Sequence, residues 1–272
     1  MKSVLVYMGA DDGQEARYRA AVDIVRSVGG HLTCLQPTAS MMSYLPVDPY
    51  GAAIFAEQAL EHVREIESKE RQQMESRLQA EGIAWDWQAH SGHAVSVMVN
   101  HSWLSELLVV SVPASDWRSR FEMPPIAADV LVRSRVPVLV VPNGLQGFDC
   151  SGRVLVAWNG SPEACQALRG ALPLLRLASK VVLATVSEDN GYELPPSDAA
   201  TFLARHQLEC DIVEIEGKGR LVSAILREAA QDHGATYVVM GAYGHSRLRE
   251  SLLGGATREM LIDSPLPLLL AH

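Results

Sequence analysis

The stretch "GAYGHSRLRESLLGGAT", Gly241 to Thr257, holds the residue types and spacing in this sequence that are best suited to chemistry. Gly241 and Gly244 can take positive φ and bring the backbone close to a ligand, because no Cβ stands in the way. Gly254 and Gly255 precede "ATREMLI", a helical pattern, so the free N–H groups and dipole of that helix start would face an anion. Thr257 adds a hydroxyl, and His245, Arg247, Arg249 and Arg258 add positive or potentially positive groups. Together these make a phosphate cradle. The same residues also suit an ordinary turn and cap, and the spacing has neither the G-K-[ST] of a Walker A loop nor the placement of a dinucleotide-binding fingerprint.

Other constellations offer less. His90 and His93 could present two imidazoles, but "HSGHAV" aligns with "IEGKGRLV" further on, a corner without ligands, so no metal site is expected. Cys34, Cys150, Cys165 and Cys210 lack C-x2-C spacing and read as reduced, mostly buried thiols. Ser111 and Ser161 sit in no nucleophile elbow, and no catalytic constellation is found. Trp85, Trp87, Trp103 and Trp117 read as core or interface residues, with a pocket for a hydrophobic ligand as the alternative.

The elements that must hold these residues occur twice in the 272-residue chain. Ser3 to Pro37 and Arg153 to Ser187 each show a Val/Leu strand, a turn rich in Gly, Asp or Asn, an amphipathic helix and a second apolar strand. Later matches follow in the same order, among them "ELLVVSV" with "TYVVMGA" and "SRVPVLVVP" with "SPLPLLLAH". Each half therefore predicts strand, helix, strand, helix, strand, helix, strand, helix, strand. Buried strands alternating with helices require parallel crossovers, so the expectation is α/β: two doubly wound parallel-sheet domains in a tandem repeat, residues 1–145 and 151–272. A long helix of roughly 52–79 enlarges the first half, and "PNGLQGFDCSG", Pro142 to Gly152, reads as the linker. The formal charge of −9 argues against nucleic acid or an anionic membrane as partner, and no apolar stretch is long enough to span a bilayer, so the cytoplasm is expected.

The G-x2-G-x9-G pattern from Gly241, joined to the opening "VLVAWNGS" and closing "SPLPLLLAH" of the second half, resembles the signature of universal stress proteins, and the duplication resembles their tandem form. That resemblance implies a Rossmann-like, adenine nucleotide alpha hydrolase-like fold. It also implies ATP, ADP or AMP, with any Mg²⁺ accompanying the nucleotide, as ligand of the second half. Trp158, Asn159 and Gly160 would then lie at the nucleoside, Val186 beside the adenine, and Gly241, Gly244, Gly254, Gly255 and Thr257 around ribose and phosphates. Asn159 stands where the family usually has aspartate, and Gly255 where it usually has Ser or Thr.

The first half has "PASDWRSRFEMPPIAADVL" at the equivalent place, with prolines Pro113, Pro124 and Pro125 and with Asp116 instead of glycines, so it reads as a degenerate partner. Its Asp11 reads as a cap or turn residue. The expected function is a stress-linked sensor or interaction module with an unidentified protein partner, at most a slow ATPase. The alternatives are a binder of another small ligand through the first half, or a structural adaptor with a vestigial glycine loop. The apolar last strands of the two halves are expected to pair with each other, and the chain could dimerise further.

Overall fold

The computed structural model describes residues 1–38, 52–112, 125–187, 194–243 and 255–272. Gly244, Gly254, His245, Arg247, Arg249 and Trp117 lie outside the described residues.

The first half runs β1 (Ser3–Tyr7), α1 (Gln14–Val28), β2 (His31–Thr38), α2 (Ala52–Ala80), β3 (Ala84–Ser91), α3 (Ala94–His101), β4 (Leu107–Ser111), α4 (Pro125–Arg133) and β5 (Val138–Val141). The second repeats this as β6 (Arg153–Ala157), α5 (Pro162–Leu175), β7 (Lys180–Ser187), α6 (Pro196–Arg205), β8 (Cys210–Glu216), α7 (Val222–Asp232), β9 (Ala235–Gly241), α8 (Gly255–Asp263) and β10 (Leu268–Ala271). All ten strands join one sheet in the order β3-β2-β1-β4-β5-β10-β9-β6-β7-β8. Every neighbouring pair is parallel except β5 and β10, which run antiparallel.

The inner strands are apolar throughout because helices cover both faces of the sheet. Successive residues feed opposite cores: Val4 and Val6 pack with α1, Leu5 with α3 and α4; in the second half Val154 and Val156 pack with α5, Leu155 with α7 and α8. Each core runs through both halves. The outermost strands β3 and β8 are half-exposed and carry Asp86, Asp211, Glu214 and Glu216, charges that discourage further pairing at the sheet's two open edges.

The two halves meet about a local twofold axis. Leu139 stands opposite Leu269, with Leu268 opposite Val140 and Leu270 opposite Val138, so the register is symmetric about the leucine pair. The expected pairing of last strands is thus formed within the chain. Gly170, a glycine in the middle of α5, lies against Pro137 of the first half, and a Cβ there would stand 2.3 Å from Pro137 Cγ. Two effects of Gly170→Ala oppose each other: better helix propensity, about 1 kcal/mol, and overpacking against a rigid ring, about 1–3 kcal/mol. At so short a distance the clash should win. A thermal melt of Gly170→Ala is expected to show a lower midpoint than wild type; a higher one would mean that α5 does not bear on Pro137.

The segment read as a linker is packed rather than free. Phe148 and Cys150 are buried, the Phe148 ring lies 5.0 Å from that of Tyr237, and Phe148 N–H donates to Asp23 Oδ2 at 2.9 Å. A connection with its own apolar anchors fixes α1 to β9 and holds the halves in one arrangement.

Candidate functional site

Strand order reverses between β6 and β9, and their crossovers leave to opposite faces, which opens a crevice at the carboxyl edge of the second half. Register places Ala157 between Ala184 of β7 and Met240 of β9, so Trp158, Asn159 and Gly160, Val186 and Gly241 share this edge. Gly255 and Thr257 begin α8, the helix that follows β9.

Their individual environments differ. Trp158 is buried: its indole N–H donates to Leu194 O at 3.0 Å, its backbone N–H to Ala184 O at 2.8 Å, and its carbonyl accepts from Thr185 Oγ1 at 3.1 Å. Every polar group of Trp158 is engaged, so it supports the edge from beneath. Asn159 is exposed; its Oδ1 accepts from Ser161 N–H at 3.2 Å, while Nδ2 makes no hydrogen bond among the described residues. Gly160 has φ 74°, a left-handed conformation that favours glycine, and it turns the chain into Ser161, whose Oγ caps α5 by accepting from Ala164 N–H at 3.2 Å. Val186 is half-buried against the end of β8 near Gly217. Thr257 is buried in the first turn of α8. Beside this edge, burial and then Asp129 of the first half hold the Tyr243 phenol well above its ordinary pKa, so it stays neutral at pH 7.

Gly241 departs from the expectation that its glycine admits a ligand through positive φ. Its φ is not positive, and a Cβ would stand 2.5 Å from Ala164 N and 2.8 Å from the Glu163 carbonyl carbon. The first turn of α5 lies directly on it, so packing demands the glycine. Gly255 is the opposite case. Among the described residues nothing lies within 4 Å of where its Cβ would be.

The first half fills the corresponding place. Arg17 of α1 is the one charged side chain among the described residues that is fully buried. Its Nε donates to Tyr7 O at 2.7 Å, Nη2 to Gly9 O at 2.7 Å, and Nη1 to Asp11 Oδ1 at 2.7 Å and to Ser111 Oγ. The guanidinium thus occupies the carboxyl ends of β1 and β4. Asp11 is the turn residue expected, accepting from Gly13 N–H at 2.8 Å, and in addition the partner of this arginine. Register makes Ser111 of β4 the counterpart of Gly241 in β9, since Val6 pairs with Val109 as Val156 does with Val239. In the first half the glycine sits on the helix side instead, where a Cβ on Gly13 would stand 2.1 Å from Ser111 Oγ.

The remaining candidates do not converge. Trp85 and Trp87 pack against the core, but Trp103 is 65 % exposed, against the expectation of packing, because it stands in the turn between α3 and β4. His90 stacks on His101 with centroids 3.8 Å apart, an arrangement that packs rings face to face. Among the described residues no three His, Cys, Asp or Glu side chains are grouped to hold a metal ion, all four cysteines are free thiols, and no helix is long and apolar enough to cross a membrane.

A parallel-sheet unit repeated twice, with an arginine filling the carboxyl edge of one copy only, defines a duplicated, doubly wound α/β protein of Rossmann-like fold. Residues 151–272 match the Universal stress protein family, so the second half is a universal stress protein domain, and the first half repeats its fold. A curated relative, the universal stress protein Slr1230 of Synechocystis sp., is 29% identical over 136 residues, 49% of this chain and 46% of that protein. The match therefore spans about half of the relative's length. Among solved structures, a universal stress protein from Archaeoglobus fulgidus superposes with TM-score 0.75 at 16% identity, covering 98% of this chain and 97% of that one. A functionally unknown protein from Pseudomonas aeruginosa PAO1 follows with TM-score 0.64 at 16% identity, covering 100% and 92%. Both likenesses establish the tandem fold over the whole chain.

Proposed function

We propose that the second half binds one adenine nucleotide, ATP, ADP or AMP, at the carboxyl ends of β6, β7 and β9, and that the chain is a cytoplasmic stress-linked sensor or interaction module. The observation that carries this reading is Gly255. It opens α8, and among the described residues no atom lies within 4 Å of where its Cβ would be, so the N-terminal N–H groups of that helix stand open to a phosphate. Asn159 Nδ2 is a free donor for ribose or base, Val186 offers an apolar wall for adenine, and Thr257 lies in the helix turn that would face phosphate. Trp158 acts through its support of the Asn159–Gly160 turn. A magnesium ion would arrive on the phosphates. Membership of residues 151–272 in the universal stress family supports the same ligand class. Domains of residues 1–145 and 151–272 are part of the proposal, with the first closed by Arg17.

Calorimetry with ATP should find one nucleotide per chain. Gly244→Val is expected to abolish binding, and Thr257→Ala to weaken it by about 1 kcal/mol, the worth of one neutral hydrogen bond. Gly241 is the wrong glycine to test, because its substitution damages the contact with α5. Two nucleotides per chain would overturn the closed first half, and undiminished binding in a folded Gly244→Val chain would overturn the glycine cradle. Mass spectrometry of ligand released from protein purified without added nucleotide identifies the natural occupant.

A further inference from the structure

A second cleft, of about 550 Å³, opens at the seam between the halves, along the flank of α5 that carries Gly170. Arg135 reaches it from the turn before β5 and Arg169 from α5, so each half contributes one guanidinium. Among the described residues neither has a hydrogen-bond or ion-pair partner. Elsewhere Arg19, Arg26, Arg71, Arg77, Arg220 and Arg227 each find a carboxylate, whereas Arg64, Arg133 and Arg205 have none among the described residues. Arg135 and Arg169 differ from those three in sharing one cleft.

We propose that the seam cleft binds a small dianion, a phosphate monoester or a dicarboxylate, held between Arg135 and Arg169. Guanidinium groups bind both oxyanions through paired N–H donors, and two of them facing one cavity match two negative charges. Gln166 lines the same cleft and supplies a neutral amide for the body of the ligand, while Val136 and Leu194 give it apolar walls. The volume lies within the range of small-molecule sites. A ligand that needs one arginine from each half binds only the docked arrangement, so it stabilises the seam by mass action. Gly160 borders the cleft as well as the proposed nucleotide crevice, but the dianion site stands or falls independently of nucleotide binding.

The test titrates inorganic phosphate, glycerol 3-phosphate and succinate separately into the full-length chain at constant ionic strength, by calorimetry and by the Nε–H resonances of Arg135 and Arg169. Saturable binding is expected for at least one probe, and the comparison of phosphates with succinate assigns the class. Arg135→Gln and Arg169→Gln should each weaken it about tenfold, the effect of losing one charge-assisted pair, with unchanged thermal melts because both residues are exposed. No saturation below about 10 mM, or dependence on only one of the arginines, would overturn the clamp. Stoichiometric displacement of phosphate by ATP would assign the arginines to the nucleotide crevice and overturn a separate site. Persistence of phosphate binding in Gly244→Val keeps the two readings apart.

Discussion

Arg17→Met should lower the stability of the first half by about 3 kcal/mol, measured by urea denaturation. Methionine fits the length of the buried stem but supplies no donors, so Tyr7 O, Gly9 O and Ser111 Oγ lose theirs together. Leaving a buried acceptor unmet costs about 1–3 kcal/mol, and the sum over the three is discounted because the Tyr7 and Gly9 carbonyls are only partly buried and can regain water. Asp11→Asn should also be costly, about 1–3 kcal/mol, because the amide can keep hydrogen bonds to the loop but removes the counter-charge of the fully buried guanidinium. Arg17→Lys should recover little, since an ammonium cannot span the strand-end carbonyls and Ser111 at once. An Arg17→Met chain as stable as wild type would show that the guanidinium does not hold β1, β4 and α1 together.

The second large effect concerns residues 151–272 produced alone. Cutting the chain there exposes the edge of β10, Leu268 to Ala271, whose apolar residues are all buried in the intact protein. The symmetric register about Leu139 and Leu269 shows how that edge is satisfied: a second copy can present its own Leu269 opposite the first. Pro267 of the second copy would take the place of Pro137 against Gly170. Sedimentation analysis at micromolar concentration is expected to give a dimer, and Leu269→Lys in the fragment a monomer or an insoluble chain. A well-folded wild-type monomer would rule out the twofold interface as a self-sufficient one.

The sequence made the fold legible where apolar periodicity was strong. The repeated strand–helix order and the pairing of "VPVLVVP" with "LPLLLAH" follow from short apolar runs separated by turn residues, the long α2 from charges at helical spacing, and the structure contains each of them. Individual roles were harder to read because they depend on contacts distant in sequence. Gly241 and Gly255 look alike in a motif, but only the arrival of α5 on Gly241 shows that one is a packing residue and the other is not. Arg17 was missed altogether. The signal was there in a cation set among Ala16, Ala20, Ala21 and Ile24, but its acceptors come from the ends of two strands and the loop after the first, which only the fold assembles. Phe148 and Cys150 gave a similar warning, two buried-type residues inside a stretch otherwise composed like a spacer.

The antiparallel seam has a consequence for how such a protein can change. In a symmetric dimer of identical chains, a single codon alters both sites at once, so a residue that closes one crevice closes the other. Here the two positions are encoded separately. Ser111 with Arg17 in one half and Gly241 in the other are choices that could not coexist in a homodimer, because each would be imposed on both copies. Joining the halves into one chain while keeping the twofold interface released each crevice from the constraints on its counterpart.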